Sequence, residues 1–201
     1  MATLRSFCKV AIYGDLDNHP HVIKYSEYVP QVLHPIIALS PDILQNHSGK
    51  EAIMKNRKYP RLKHHNYRAN GAYFITLVCY RRAPLFGQFI AAEFCLTSIG
   101  DYIIKTWRAL PQRDSSIILD AFVLMPNHLH GIIWLNENAQ RTLLNIVNWF
   151  KAEITRETGV KVWQRSFYDR VIRDERELLA FREYIENNPK QWEWDRLYVN
   201  G

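Results

Sequence analysis

The chain has 201 residues, 47% of them hydrophobic, which is enough for one domain with a real core plus an extension. No apolar run approaches the roughly 18–20 residues that a membrane-crossing helix needs, and no basic stretch leads into an apolar core as in a signal peptide. The net charge of +6 favours a polyanionic partner, although an ordinary solubility charge reads the same way.

Residues 1–53 stand apart from the rest. They mix short apolar pieces with Pro20, Pro30, Pro35 and Pro41, and they hold four Lys/Arg against five acids. Residues 54–201 therefore hold 22 basic against 15 acidic residues, a net of +7. The expectation is an N-terminal extension over 1–53, either poorly structured or upstream translated sequence with Met54 as the functional start. A small N-terminal cap is the alternative. Residues 54–201 form the working domain. Cys8, Cys79 and Cys95 match neither a zinc spacing nor a disulfide framework, and read as a reduced, cytoplasmic protein.

From residue 72 the pattern becomes regular. Ala72 to Tyr80 is rich in β-formers and predicts a strand. Pro84 and Gly87 punctuate a loop. Residues 91–110 predict a helix with Ile99, Ile103, Ile104 and Trp107 on its apolar face, ended by Pro111. Ile117–Met125 and His128–Leu135 predict two strands joined by a tight turn at Pro126-Asn127. Residues 140–157 predict a second helix with the stripe Leu143, Val147, Phe150, Ile154, and Gly159 just past its end. A short strand runs from about Phe167 to Ile172. A third helix spans 174–188, with Asp174 as N-cap, Glu177 three residues on, and Pro189 as its stop. The order βαββαβα implies an α+β fold, a ferredoxin-like or RRM-like antiparallel sheet. Two helices pack on one face, a C-terminal helix follows, and the opposite face is free to hold a site.

His128-Leu129-His130 opens the third of these strands. Residues two apart on a strand point the same way, so both imidazoles project from one face, as two ligands of a divalent metal can. Such a pair often arises by chance, and two half-buried histidines with backbone partners are the bland alternative. His19 and His21, and His64 and His65, read as solvated loop residues. Tyr184 and Asn188, four apart on the third helix, share a face. Periodicity alone favours a core aromatic for Tyr184 and an ordinary helix end for Asn188. Trp163 and Phe167 can stack on unpaired bases but more often belong to a core.

Together, the runs Leu124–Ile133, Trp163–Arg173 and Tyr184–Pro189 resemble the HUH single-tyrosine transposases, most closely the REP-associated tyrosine transposase branch. Gly71–Thr76 and Leu85–Gly87 match that branch's opening strand and loop. The resemblance covers roughly residues 57–196, and residues 1–53 have no counterpart in it. It implies a metal-dependent transposase and endonuclease that cleaves and rejoins single-stranded DNA through a 5′-phosphotyrosine, at hairpin sites like repetitive extragenic palindromes. It implies His128, His130 and Asn188 as ligands of Mg²⁺ or Mn²⁺ and Tyr184 as the nucleophile. The basic surplus suggests Arg81, Arg82, Arg165, Arg170 and Arg173 for DNA phosphates. Glu183 and Glu186 are weaker candidates for taking the tyrosine's proton. Both a monomer and a homodimer exchanging the tyrosine helix fit the sequence. The competing readings are a catalytically silent nucleic-acid-binding regulator, a metal hydrolase using activated water, and a replication-initiator or relaxase-like nuclease.

Overall fold

The computed structural model describes residues 65–198, apart from 69, 91 and 92. The expectations for residues 1–53 and for a start at Met54 lie outside the described residues. Four strands form one antiparallel sheet: β1 (Gly71–Val78), β4 (Ile117–Met125), β5 (His128–Leu135) and β6 (Tyr168–Ile172), in the order β4-β5-β1-β6. A hairpin of β2 (Gly87–Ile90) and β3 (Glu93–Leu96) stands beside it. The helices are α1 (Ser98–Arg108), α2 (Leu143–Thr158) and α3 (Glu175–Asn187), and a 3₁₀ segment, Pro189–Trp194, follows α3. Without the extra hairpin and α3, this is the ferredoxin-like βαββαβ sheet with the two central strands β5 and β1.

Strand alternation divides the sheet cleanly. Tyr73, Ile75 and Leu77 of β1 face α1 and α2, where Ile103 and Trp107 meet Leu143, Val147, Phe150 and Ile154. Each large apolar side chain so buried contributes roughly 1.5–3 kcal/mol. Trp163 and Phe167 are buried in this same core, so neither is a platform for bases. Ala72 and Phe74 face the other way, with Val123, Met125 and Ile132. That second face is not free: Leu178, Phe181 and Ile185 of α3 cover it. The apolar stripe of an amphipathic helix has to be buried somewhere, and the exposed half of the sheet supplies the surface.

Local signals explain most element ends. Asp174 caps α3, its Oδ1 accepting from the Glu177 N–H at 2.8 Å, and Gly159 closes α2 in the left-handed region at φ 67°. The expected helix over 91–110 is corrected. β2 and β3 pair as a hairpin, and α1 starts at Ser98 because Thr97 caps it, accepting from Gly100 N at 3.1 Å. Phe89, Ile90 and Phe94 are β-formers, and they favour strands on both sides of the turn. Pro111 does not stop the chain's helical course; it enters a further single turn, Leu110–Arg113, near its start, where a missing N–H does no harm.

Gly131 lies between the two cores, one residue past His130. A Cβ there would lie 2.6 Å from Trp107 Cζ2 and Cη2, and Trp107 stacks on Phe122 at 4.9 Å, so the indole has nowhere to retreat. Gly131→Ala is expected to destabilise the protein by about 1–3 kcal/mol through overpacking, read as a lower urea midpoint at unchanged m-value.

Candidate active site

β5 aligns His128 with Val78, and His130 with Thr76, so both histidines lie at the C-terminal end of β1 on the face covered by α3. Both are fully buried. His128 Nδ1 lies 2.8 Å from Asn127 Oδ1, and His130 Nδ1 lies 2.8 Å from Thr76 Oγ1. The Nε2 atoms are thereby left facing the space under α3. There the Tyr184 hydroxyl lies 3.4 Å from His130 Nε2. Phe74 forms the floor, with its ring 5.4 Å from His130, 4.4 Å from Phe181 and edge-on to Tyr184 at 5.9 Å.

Asn188 lies at the C-cap of α3 and is buried, one helical turn beyond Tyr184. Its Nδ2 donates to Asp195 Oδ2 at 3.4 Å. Asp195 sits just past the 3₁₀ segment, with Oδ2 3.9 Å from His128 Nε2. Sequence reasoning missed Asp195, which lies beyond the proline that ends the tyrosine helix and carries no local period to flag it. One donor atom each from His128, His130 and Asp195 lie within 4.8 Å of one another. His128 Nε2 and Asn188 Oδ1 are buried without a hydrogen-bond partner. Two lone pairs left over in a buried space, beside a carboxylate, are a donor set that fits a divalent cation.

Electrostatics follow from burial. Desolvation lowers the His128 pKa to about 4, against the opposing pull of the Asp195 charge, and lowers His130 well below its usual value, with His128 adding to the effect. Both imidazoles are therefore neutral at pH 7, the form a metal needs. Burial, and then the negative charge of Asp195, raise the Tyr184 pKa. A stability consequence follows for the metal-free protein. An unfolded His titrates near 6.5 and binds a proton that the folded His128 refuses down to about 4, so stability is complete above about pH 6.5 and falls as the pH drops towards 4. Urea midpoints measured between pH 7 and pH 4 check this, and His128→Gln should flatten the curve.

The five candidate DNA-binding arginines do not sit together. Arg81 and Arg82 follow β1 directly and are exposed at the site end of the sheet, and Arg165 is exposed before β6 at the same end. Arg170 is half-buried and its guanidinium pairs with Glu177 of α3 at 2.9 Å, so it ties β6 to the tyrosine helix. Arg173 lies at the opposite end, past the Ala72–Ile172 pair. Glu183 and Glu186 are exposed on α3. Among the described residues no helix is long and apolar enough to cross a membrane.

No family model matches the chain. An uncharacterized protein of Haemophilus influenzae is 39% identical over 74% of this chain and 97% of its own length. A second Haemophilus influenzae protein, assigned to the REP-associated tyrosine transposases, is 26% identical over 62% of this chain and 75% of its own length. The solved structure of a REP-associated tyrosine transposase bound to a REP hairpin matches with a TM-score of 0.53 at 23% identity, over 68% of this chain and 77% of that one, a likeness of fold. With the His128–His130 pair and this sheet topology in place, the chain shares the fold of the REP-associated tyrosine transposases and is similar in sequence to one of them, and both likenesses support a place for it in the HUH single-tyrosine transposase family.

Proposed function

We propose that this protein cleaves and rejoins single-stranded DNA at hairpin sites through a covalent bond to Tyr184. The observation that carries the reading is the convergence of the Tyr184 hydroxyl on His130 Nε2 at 3.4 Å, under a helix that also brings Asn188 to the same space. His128, His130 and Asn188 would hold Mg²⁺ or Mn²⁺, with Asp195 as a further oxygen within reach. A bound divalent ion supplies Lewis-acid stabilisation of charge on a phosphate oxygen and orients the strand.

The residues of the chain do the rest. Tyr184 Oη attacks phosphorus, the Oη–P bond forms, the P–O3′ bond breaks, and the 3′ oxygen leaves and takes a proton. The products are a 5′-phosphotyrosine and a free 3′-OH, and attack by a 3′-OH reverses the step without an external energy source. The raised pKa of Tyr184 keeps the phenol protonated at rest, so a proton acceptor is required. Glu183 and Glu186 face solvent and His130 Nε2 is a ligand of the ion in this reading, which leaves Asp195 as the proton acceptor on the site side. Phe74 and Phe181 exclude water from beneath the nucleophile, which limits hydrolysis of the covalent intermediate. Arg81, Arg82 and Arg165 take the flanking phosphates. The protein acts in the cytoplasm, where its DNA is.

Labelled hairpins taken from inverted repeats flanking the gene, incubated with the protein and Mn²⁺, should give an adduct on a denaturing gel. Peptide mapping should place the nucleotide on Tyr184. Cleavage without an adduct would favour the activated-water hydrolase, and hairpin binding without cleavage would favour the silent regulator.

A further inference from the structure

We propose that Asn127 is a positioning residue that joins the His128 imidazole and the exposed Arg81–Arg82 turn into one unit, so that the phosphates beside the reacting one are held in fixed register with it. The identity of the ligand as single-stranded DNA rests on the reading above; the coupling itself rests on the hydrogen bonds that follow.

Asn127 is fully buried in the two-residue turn between β4 and β5. Its Nδ2 donates to Arg82 O at 3.1 Å and to Leu197 O at 2.7 Å. Both partners are carbonyls, so the nitrogen of the amide must face them, and Oδ1 must face His128 Nδ1 at 2.8 Å. An amide oxygen only accepts, so His128 carries its hydrogen on Nδ1 and keeps its Nε2 lone pair for the site. The Thr76 hydroxyl can donate or accept and sets no such constraint on His130. One side chain therefore fixes the tautomer and the ring of one histidine.

The other end of the same side chain holds a strained turn. Arg81 and Arg82 both adopt left-handed backbone, φ 57° and 58°, a conformation uncommon for arginine that persists only where the surroundings enforce it. Arg82 N donates to Cys79 O at 2.9 Å, Cys79 N donates to Asn127 O at 2.7 Å, and the Asn127 amide grips the Arg82 carbonyl from the far side. The Tyr80 ring lies against Arg81 and Lys161, at 5.3 and 4.0 Å. The turn thus presents two exposed guanidinium groups, and phosphodiester oxygens are the ligand they suit.

Two probes separate the two ends: Mn²⁺ titrated calorimetrically into the metal-free protein, and a fluorescein-labelled single strand of mixed sequence followed by anisotropy without metal at fixed ionic strength. Asn127→Ala should weaken Mn²⁺ binding roughly 10- to 100-fold and also weaken DNA binding. Asn127→Asp keeps an acceptor for His128 Nδ1 but sets a carboxylate oxygen against two carbonyls. It should keep Mn²⁺ affinity near wild type and lose at least as much DNA affinity as Arg82→Ala. The double variant Asn127→Asp with Arg82→Ala should bind DNA no more weakly than Asn127→Asp alone, because the two act through one turn. Wild-type Mn²⁺ affinity in Asn127→Ala, wild-type DNA affinity in Asn127→Asp, or additive losses in the double variant would overturn the proposal. Should Asn127→Ala fail to fold, Asn127→Asp and the double variant still decide it. Neither probe requires cleavage, so failure to find a Tyr184 adduct would remove the strand-transfer reading and leave this coupling standing.

Discussion

Tyr184→Phe is expected to abolish the covalent protein–DNA adduct while leaving fold, Mn²⁺ affinity and hairpin affinity close to wild type. The hydroxyl's contact with His130 Nε2 in the resting site is long, 3.4 Å, and a neutral bond of that length contributes at most about 1 kcal/mol. The ring keeps its place, because its edge-on packing against Phe74 at 5.9 Å and His130 at 5.1 Å needs no oxygen. Losing a nucleophile is a different matter: phenylalanine offers phosphorus nothing, and cleavage should fall roughly 10⁴-fold or more. Gel quantification of adduct and of free 3′ product measures it, with a urea melt as the control for folding. Undiminished cleavage by this variant would assign the chemistry to water and reduce Tyr184 to a core aromatic.

The contrast between these two roles for one side chain marks what was legible in the sequence. β4, the Pro126-Asn127 turn and β5 stand where alternation and turn chemistry put them. The cap at Asp174 and the stripe Leu178, Phe181, Ile185 place Tyr184 and Asn188 on one side of α3. What periodicity cannot express is which sheet face receives that helix, since both faces of β1 are apolar. The second core, and with it the burial of His128 and His130, exists because α3 covers that face of the sheet. Asp195 and Asn127 were invisible for another reason. Each acts through contacts between segments tens of residues apart, Asn127 reaching Arg82 and Leu197, and no window of sequence contains both partners. Arg170 shows the same limit in reverse: its charge suggests phosphate, and its neighbour Glu177, seven residues on, takes it.

Asp120→Ala is expected to cost about 2–3 kcal/mol of stability and most of the adduct yield. The reason begins with an irregularity in β4. Leu119 pairs with Ile133 and Phe122 with Gly131, so Asp120 and Ala121 together oppose a single residue. This bulge re-aims the strand. Asp120 accepts from the Arg182 Nε and NH2 groups at 2.8 and 2.6 Å, from Trp134 Nε1 at 3.0 Å and from its neighbour Ala121 N at 2.7 Å. The Arg182 guanidinium holds this carboxyl below its ordinary pKa, although burial works the other way. Arg182 lies two residues before Tyr184, so the forked pair fastens the tyrosine helix to the edge strand on its own sheet. Breaking a wholly buried pair costs about 3–5 kcal/mol; here Arg182 keeps 31% of its side chain exposed and can turn to water, which lowers the figure. The remaining apolar contacts of Leu178, Phe181 and Ile185 keep α3 on the sheet but allow it to shift along its stripe. A displacement of about 1 Å of a reacting group costs on the order of 10²-fold in rate. Arg182→Lys should lose the rate while keeping more of the stability, because a single ammonium cannot reproduce the fork. Urea melts and adduct assays on both variants separate the two effects. A variant that lost stability but formed adduct at the wild-type rate would show that the pair holds the fold and does not aim the tyrosine.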